Sequence, residues 1–356
     1  MPRGDTPAEA AAAIRAPRRR ALATATLALA ATALSLLAAE PIARARGFRP
    51  WTPDPVLAEV EPGGSLYVGD PILGYALRPG AFQVTLAGGL RFHATHDALG
   101  PRISRPAAAQ DAAATQGEIW IFGDSFSYGW SVSDEESYPW LLQTAFPRHR
   151  VLNFAVGGYG TLQALLQLEA ELATRPRPGA VVLAHNFFHD SRNTFSRLRR
   201  REVVPWNRLG PIRHPLARLG PAGRLALGSA PVVYAELPLM RRSALANLAA
   251  TAWDLLDDRG LRGPEVTRAL LARFVAAAQS RGAPVVFVTL EASPANPPIL
   301  HTAASLGARA ADISLDLRIR ANTNLPHDGH PSALAHRRYA KRLAPLLRAA
   351  LREAGR

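Results

Sequence analysis

Four short apolar runs, at residues 119–122, 151–154, 181–184 and 285–290, alternate with helix-length segments at 137–145, 161–173, 264–278 and 332–351. No other feature limits the fold as strongly. A strand that is apolar on consecutive residues has no solvent face, so the sheet it joins must be covered on both sides. Strands connected through helices run parallel, and the pattern predicts a doubly wound α/β domain over residues 118–356. The chain has 356 residues, 48% of them hydrophobic, enough for one such domain with appendages and too apolar for a disordered chain.

Upstream the pattern is different. Arg15, Arg18, Arg19 and Arg20 precede an uncharged run from Ala21 to Ala39, and Arg44, Arg46 and Arg49 follow it. About 20 apolar residues cross the roughly 30 Å hydrocarbon core, whereas the apolar part of a signal peptide is shorter. Length therefore favours an uncleaved single-pass anchor within residues 1–47, although Ala43-Arg44-Ala45 offers a signal peptidase a small-x-small site. The arginine balance places the N-terminus in the cytoplasm and the rest outside, in the periplasm or extracellular space. Residues 48–117 read as a small β-rich lead-in of short alternating strands, ending in an alanine-rich linker at 106–117.

Charge and cysteine content narrow the chemistry. The net charge is +14, but Lys341 is the only lysine, and dispersed arginine of this kind reads as a compositional habit rather than a nucleic-acid footprint. The absence of cysteine removes thiol nucleophiles and cysteine-ligated zinc. One segment, at about 191–261, breaks the strand–helix rhythm with Arg197, Arg199, Arg200 and Arg201 and a series of prolines. It is read as an insertion or lid, open to two uses: binding anionic groups or a solvated excursion.

Ligands of open α/β sheets bind beyond the carboxyl ends of the strands, and there the first strand delivers Gly123-Asp124-Ser125. Alone, the tripeptide is also what an ordinary turn looks like. A serine hydroxyl needs a base to take its proton and a group to orient the base. Near the C-terminus, Asp328-Gly329-His330 supplies both, with Asp328 as orienter and His330 as base. The surrounding cluster of His327, Asp328, His330 and His336 has a rival reading as metal ligands, but matches no familiar zinc spacing.

With these residues in place, the chain resembles the SGNH, or GDSL-type, hydrolase family, in its membrane-anchored bacterial form. Gly123-Asp124-Ser125 is similar to the family's nucleophile motif, and the strand and glycine turn from Val151 to Gly160 look like its second motif. The resemblance implies an oxyanion hole built from the backbone N–H groups of Ser125 and Gly158. The family's Asn-Asp pair departs here to His189-Asp190, which leaves His189 or Asn186 as the third donor. The closing Asp-x-His resembles the alginate-acetylation branch, and Asp70 to Gly80 resembles the lead-in of anchored members. The activity implied by the resemblance is that of a serine esterase, hydrolysing or transferring an acyl group, acetyl included, on an envelope glycan or lipid. No cofactor or metal is expected. Its partners would be the acyl ester substrate, the membrane and, for a transferase, a membrane acyltransferase, with no nucleic acid. The alternative is a non-catalytic glycan-binding or scaffold protein on a decayed hydrolase fold.

Overall fold

The computed structural model describes residues 7–53, 58–106 and 116–354. It divides into two compact units, Met1–Pro53 with Ala235–Trp253, and Asp54–Tyr234 with Asp254–Arg356. Most of the expected linker at 106–117 lies outside the described residues.

The first unit is dominated by helix α1 (Pro7–Ala45). Its stretch Ala21–Ala45 is apolar enough over its length to pass for a membrane span, with Leu22, Leu27, Leu29, Leu34, Leu36 and Leu37 all exposed. At 1.5 Å per residue the stretch is about 37 Å long, enough to cross a bilayer. At its end the Glu40 carboxylate accepts from the backbone N–H groups of Ala244 and Leu245 and from the Ser243 hydroxyl, capping the helix Ala244–Gly260.

In the second unit the lead-in supplies β1 (Ala58–Glu61), the hairpin β2 (Tyr67–Asp70) and β3 (Gly74–Leu77), and β4 (Gly80–Leu86) and β5 (Arg91–His96). Strands β1, β4 and β5 form an antiparallel sheet whose inward residues Phe82, Val84, Phe92 and Ala94 share a core with Tyr128, Ala155, Val156 and Tyr159 of the C-terminal half. The expected boundary at residue 117 therefore does not separate two cores. Arg102 explains why: almost fully buried, it donates to Asp134 Oδ1 and to the carbonyls of His93, Tyr128, Gly129 and Val132. A buried guanidinium needs all its donors satisfied, and here both halves provide the acceptors.

The C-terminal half begins with β6 (Glu118–Phe122), the four-residue α2 (Ser125–Tyr128), α3 (Tyr138–Ala145), β7 (Arg150–Asn153), α4 (Thr161–Thr174) and β8 (Ala180–His185). The interrupting segment follows as α5 (His189–Thr194), α6 (Arg197–Val203), the antiparallel pair β9 (Arg213–Leu219) and β10 (Leu225–Pro231), and α7 (Ala244–Gly260). Helix α8 (Gly263–Ser280), β11 (Val285–Glu291), α9 (Asn296–Ser305), β12 (Arg309–Leu315), the short pair β13 (Thr323–Asn324) and β14 (Asp328–Pro331), and α10 (Ala333–Ala354) complete it. The main sheet is parallel throughout, in the order β12-β11-β8-β6-β7. It has a fifth strand, β12, beyond the four that the apolar runs predict. Arg-Ala-Ala-Asp-Ile-Ser-Leu is half polar because β12 is an edge strand with only Ile313 and Leu315 buried.

Both faces are covered, as continuous apolar strands require. Trp120 and Phe122 of β6 pack with α4 and α8 through Leu165, Leu168, Leu270 and Phe274, while Ile119 and Ile121 pack with α3 and α10 through Leu142, Tyr339 and Leu343. Because β7 and β8 lie on opposite sides of β6, the winding reverses there, and the crevice at the carboxyl end of β6 is the place for a site.

Five histidines are buried in this fold: His96, His185, His189, His214 and His336. Burial, the first cause in each case, pushes all five below the usual imidazole range, His96 to about 4 and His214 and His336 to about 3. They are neutral when folded, whereas the unfolded chain takes up a proton on each near pH 6.5. Stability is therefore fully present above that pH and lost as pH falls, by on the order of 1.4 kcal/mol per pH unit for each histidine until the folded forms titrate. Urea unfolding at pH 5 should show a clearly lower midpoint than at pH 7; equal midpoints would contradict neutral burial of these rings.

Candidate active site

Strand β6 ends at Phe122, and the chain turns through Gly123 into α2. The glycine answers to space rather than to backbone sign: a Cβ there would lie 2.5 Å from Ser127 Oγ and 3.2 Å from the Ala184 carbonyl oxygen. Asp124 is the N-cap of α2, its Oδ1 accepting from the Phe126 N–H at 2.8 Å. Ser125 follows as the first helical residue. On the glycine-turn side, Gly158 has a φ of 85°, a conformation that favours glycine. Its carbonyl accepts from Arg199 Nη2 at 3.1 Å, and that of Gly157 accepts from the Tyr75 hydroxyl at 2.9 Å.

The second contribution comes from β14. Residues two apart on a strand share a face, so Asp-x-His puts carboxylate and imidazole side by side. His330 Nδ1 lies 2.7 Å from Asp328 Oδ1, and His330 Nε2 lies 2.9 Å from Ser125 Oγ. The partners fix the tautomer: Nδ1–H donates to the carboxylate and Nε2 accepts from the serine hydroxyl. Asp328 is further held by the His330 N–H at 2.8 Å and by the Trp130 indole N–H at 3.3 Å. Burial alone would raise the Asp328 carboxyl, but the His330 ring and these N–H donors outweigh it and hold it below its ordinary value. The imidazole packs against the rings of Phe126 and Trp130.

The remaining residues that the sequence singles out fall elsewhere. Asn186 Nδ2 donates to Asp124 Oδ2 at 2.7 Å while its Oδ1 accepts from the Glu291 N–H at 3.0 Å. His189, fully buried, uses both ring nitrogens: Nε2 on Asp124 Oδ2 at 3.0 Å and Nδ1 on the Thr161 hydroxyl at 3.2 Å. Each therefore directs one donor at Asp124; both ring nitrogens of His189 are engaged, while the Asn186 amide carries a second N–H beyond that bond. His327 stands against Gly88 of the lead-in, and His336 is buried with Nδ1 accepting from the Tyr138 N–H. Of the four residues weighed as metal ligands, His327 and His336 thus stand apart from the Asp328–His330 pair, and no cluster of three or more such groups occurs among the described residues. The interrupting arginines are tied into the fold: Arg197 and Arg201 converge on the buried Asp254, and Arg199 braces the glycine turn.

Three contributors carry no local signal in the sequence. Trp130 follows a glycine after α2, and Tyr67 and Tyr75 come from the lead-in. Asp124 also has a larger part than a turn brace. Burial pushes its carboxyl up, yet the hydrogen bond and charge of His189, the charge of Arg192 and the Asn186 amide bring it well below the ordinary value. Since His189 is itself pushed down by burial and is neutral, its share is a hydrogen bond, and Arg192 at 3.7 Å supplies the opposite charge.

A serine, a histidine and an aspartate linked by hydrogen bonds at the carboxyl edge of a doubly wound parallel sheet form the arrangement used for acyl transfer through a covalent serine intermediate. No family model matches this sequence, and no curated protein does. Among solved structures the chain is similar to TesA, with 15% identity and a TM-score of 0.38 over 65% of this chain and 99% of that one. It is likewise similar to a carbohydrate acetylesterase family member from Sinorhizobium meliloti, with 13% identity and a TM-score of 0.38 over 66% and 99% of the two chains. A member of the lipolytic protein G-D-S-L family from Veillonella parvula matches with 11% identity and a TM-score of 0.35 over 64% and 97%. These likenesses are to the arrangement of the chain and carry nothing about reaction or substrate.

Removing the Asp124 carboxylate would strip a helix cap and leave the buried donors of Asn186 and His189 without an acceptor. Asp124→Ala should cost about 3–5 kcal/mol in denaturant unfolding and abolish activity, whereas Asp124→Asn, which keeps the cap, should lose less stability. A loss below about 1 kcal/mol for Asp124→Ala would contradict the bracing role.

Proposed function

We propose that this chain is a membrane-anchored serine esterase of the SGNH type, which hydrolyses or transfers a short acyl group on an envelope glycan or lipid. The observation that carries the reading is the chain of hydrogen bonds from Ser125 Oγ through His330 to Asp328. Ser125 Oγ attacks the acyl carbonyl, its proton passes to His330 Nε2, and Asp328 stabilises the imidazolium. The tetrahedral oxyanion is held by the N–H groups of Ser125 and Gly158. Ser125 is the first residue of α2, so its N–H has no intrahelical acceptor. The Gly157 carbonyl, tied to Tyr75, turns the Gly158 N–H of the same peptide the opposite way. Water or an acceptor hydroxyl then takes the acyl group while His330 returns the proton.

The surroundings favour a small acyl group such as acetyl. Tyr67 Oη, Tyr75 Oη and Arg199 Nη2 crowd the space beside Gly157 and Gly158 with polar atoms. The exposed apolar helix α1 and the arginines before it support an anchor with the catalytic unit outside the cytoplasm, close to ester-bearing envelope molecules. In the transferase form the acyl group would come from a membrane partner. A decayed, non-catalytic fold is the less favoured reading, because nothing would keep three side chains in catalytic register.

The test is turnover of p-nitrophenyl acetate and longer-chain esters by the full chain in detergent. Ser125→Ala and His330→Ala should each lower kcat by about 10⁴ or more, and Asp328→Asn by about 10⁴. Acetate should be preferred over long chains. Activity that survives the first two substitutions would overturn the reading.

A further inference from the structure

Asn186 and His189 each direct a donor at Asp124, so a further side-chain donor for the oxyanion is sought outside the β8 loop. The lead-in has one. Tyr67 opens β2, and a Cβ built on Gly157 would lie 2.6 Å from Tyr67 Oη and 3.9 Å from Ser125 Cβ. The phenol and Ser125 therefore both flank the bare backbone of Gly157. Its ring is fixed edge-on against Tyr75, with centroids 5.3 Å apart, and Tyr75 in turn packs on Tyr159. The hydroxyls of Tyr75 and Tyr159 are both spent on backbone carbonyls. Tyr67 Oη has no hydrogen-bond partner among the described residues, and it is not one of the sealed, orphaned polar atoms. A half-buried tyrosine, locked in place with its hydroxyl free and open, is arranged to meet something that binds beside Ser125.

We propose that Tyr67 is a catalytic residue whose hydroxyl donates a hydrogen bond to the oxyanion formed at Ser125. The assignment rests on the esterase reading above. In the step concerned, the Ser125 Oγ–carbon bond forms, the carbonyl π pair moves to oxygen, and the Ser125 proton goes to His330 Nε2. Tyr67 donates a hydrogen bond and transfers no proton, so the step balances without another reactant. Burial raises the phenol above its ordinary value, which keeps it protonated and donating wherever His330 can act as base. The role also explains why the lead-in shares a core with the catalytic sheet: a donor placed by a second layer must be held as firmly as the nucleophile.

The experiment uses the full chain in detergent, with p-nitrophenyl acetate as substrate and phenylboronic acid as a tetrahedral analogue. Tyr67→Phe should lower kcat about a hundredfold with little change in KM, and weaken boronate inhibition by a similar factor, while the melting temperature holds. Gly157→Ala, whose methyl would push the hydroxyl aside, should lose activity similarly in the native background and lose little more in the Tyr67→Phe background. Three results would overturn the assignment: a kcat for Tyr67→Phe within about threefold of wild type, a loss in KM alone, or losses that multiply in the double variant. Wild-type protein without any Ser125-dependent turnover would instead bring down the esterase reading, and this role with it.

Discussion

The Asp124 carboxylate is the constraint on which the site depends. One oxygen caps α2 at the end of β6; the other accepts from Asn186 and His189 at the end of β8. Asn186 then reaches the Glu291 N–H at the end of β11, and His189 reaches Thr161 at the start of α4. Three neighbouring strand ends are thereby tied to the residue next to Ser125. Burying a carboxylate is expensive, so a full set of donors and the nearby Arg192 are conditions of the fold rather than additions to it. A site organised this way holds Ser125 Oγ 2.9 Å from His330 Nε2, the preorganisation on which the proposed esterase chemistry relies.

The parts legible in the sequence are those encoded over a few residues. The sheet shows in continuous apolar runs because a two-sided sheet leaves them no alternative. The Gly-Asp-Ser turn and the Asp-x-His strand bring their members together through local geometry. Strand β12 is not legible, since an edge strand tolerates alternating polar residues. The prolines and arginines of residues 191–261 suggest irregular structure, yet the segment forms α5, α6, the β9–β10 pair and α7, with the arginines consumed by Asp254, Glu202 and backbone carbonyls.

The third donor shows the opposite limit. His189 and Asn186 stand where a motif search looks for it, but which way a side chain points in a turn depends on what else is buried nearby, and here Asp124 takes one N–H from each. Tyr67 comes from far upstream, and Trp130 touches Asp328 only because β14 folds back over α2. Neither pairing has a spacing that a sequence could display. The same holds for Arg102, whose burial between the lead-in and the C-terminal half makes one core of segments that composition alone separates.

The central claim is that Ser125 is an activated nucleophile. Its most direct measurement is reaction of the full chain with a fluorophosphonate probe, followed by peptide mass spectrometry to locate the adduct. A single adduct on Ser125, absent in Ser125→Ala and strongly slowed in His330→Ala, is the expected result. No adduct at all, or labelling that persists in Ser125→Ala, would contradict the account.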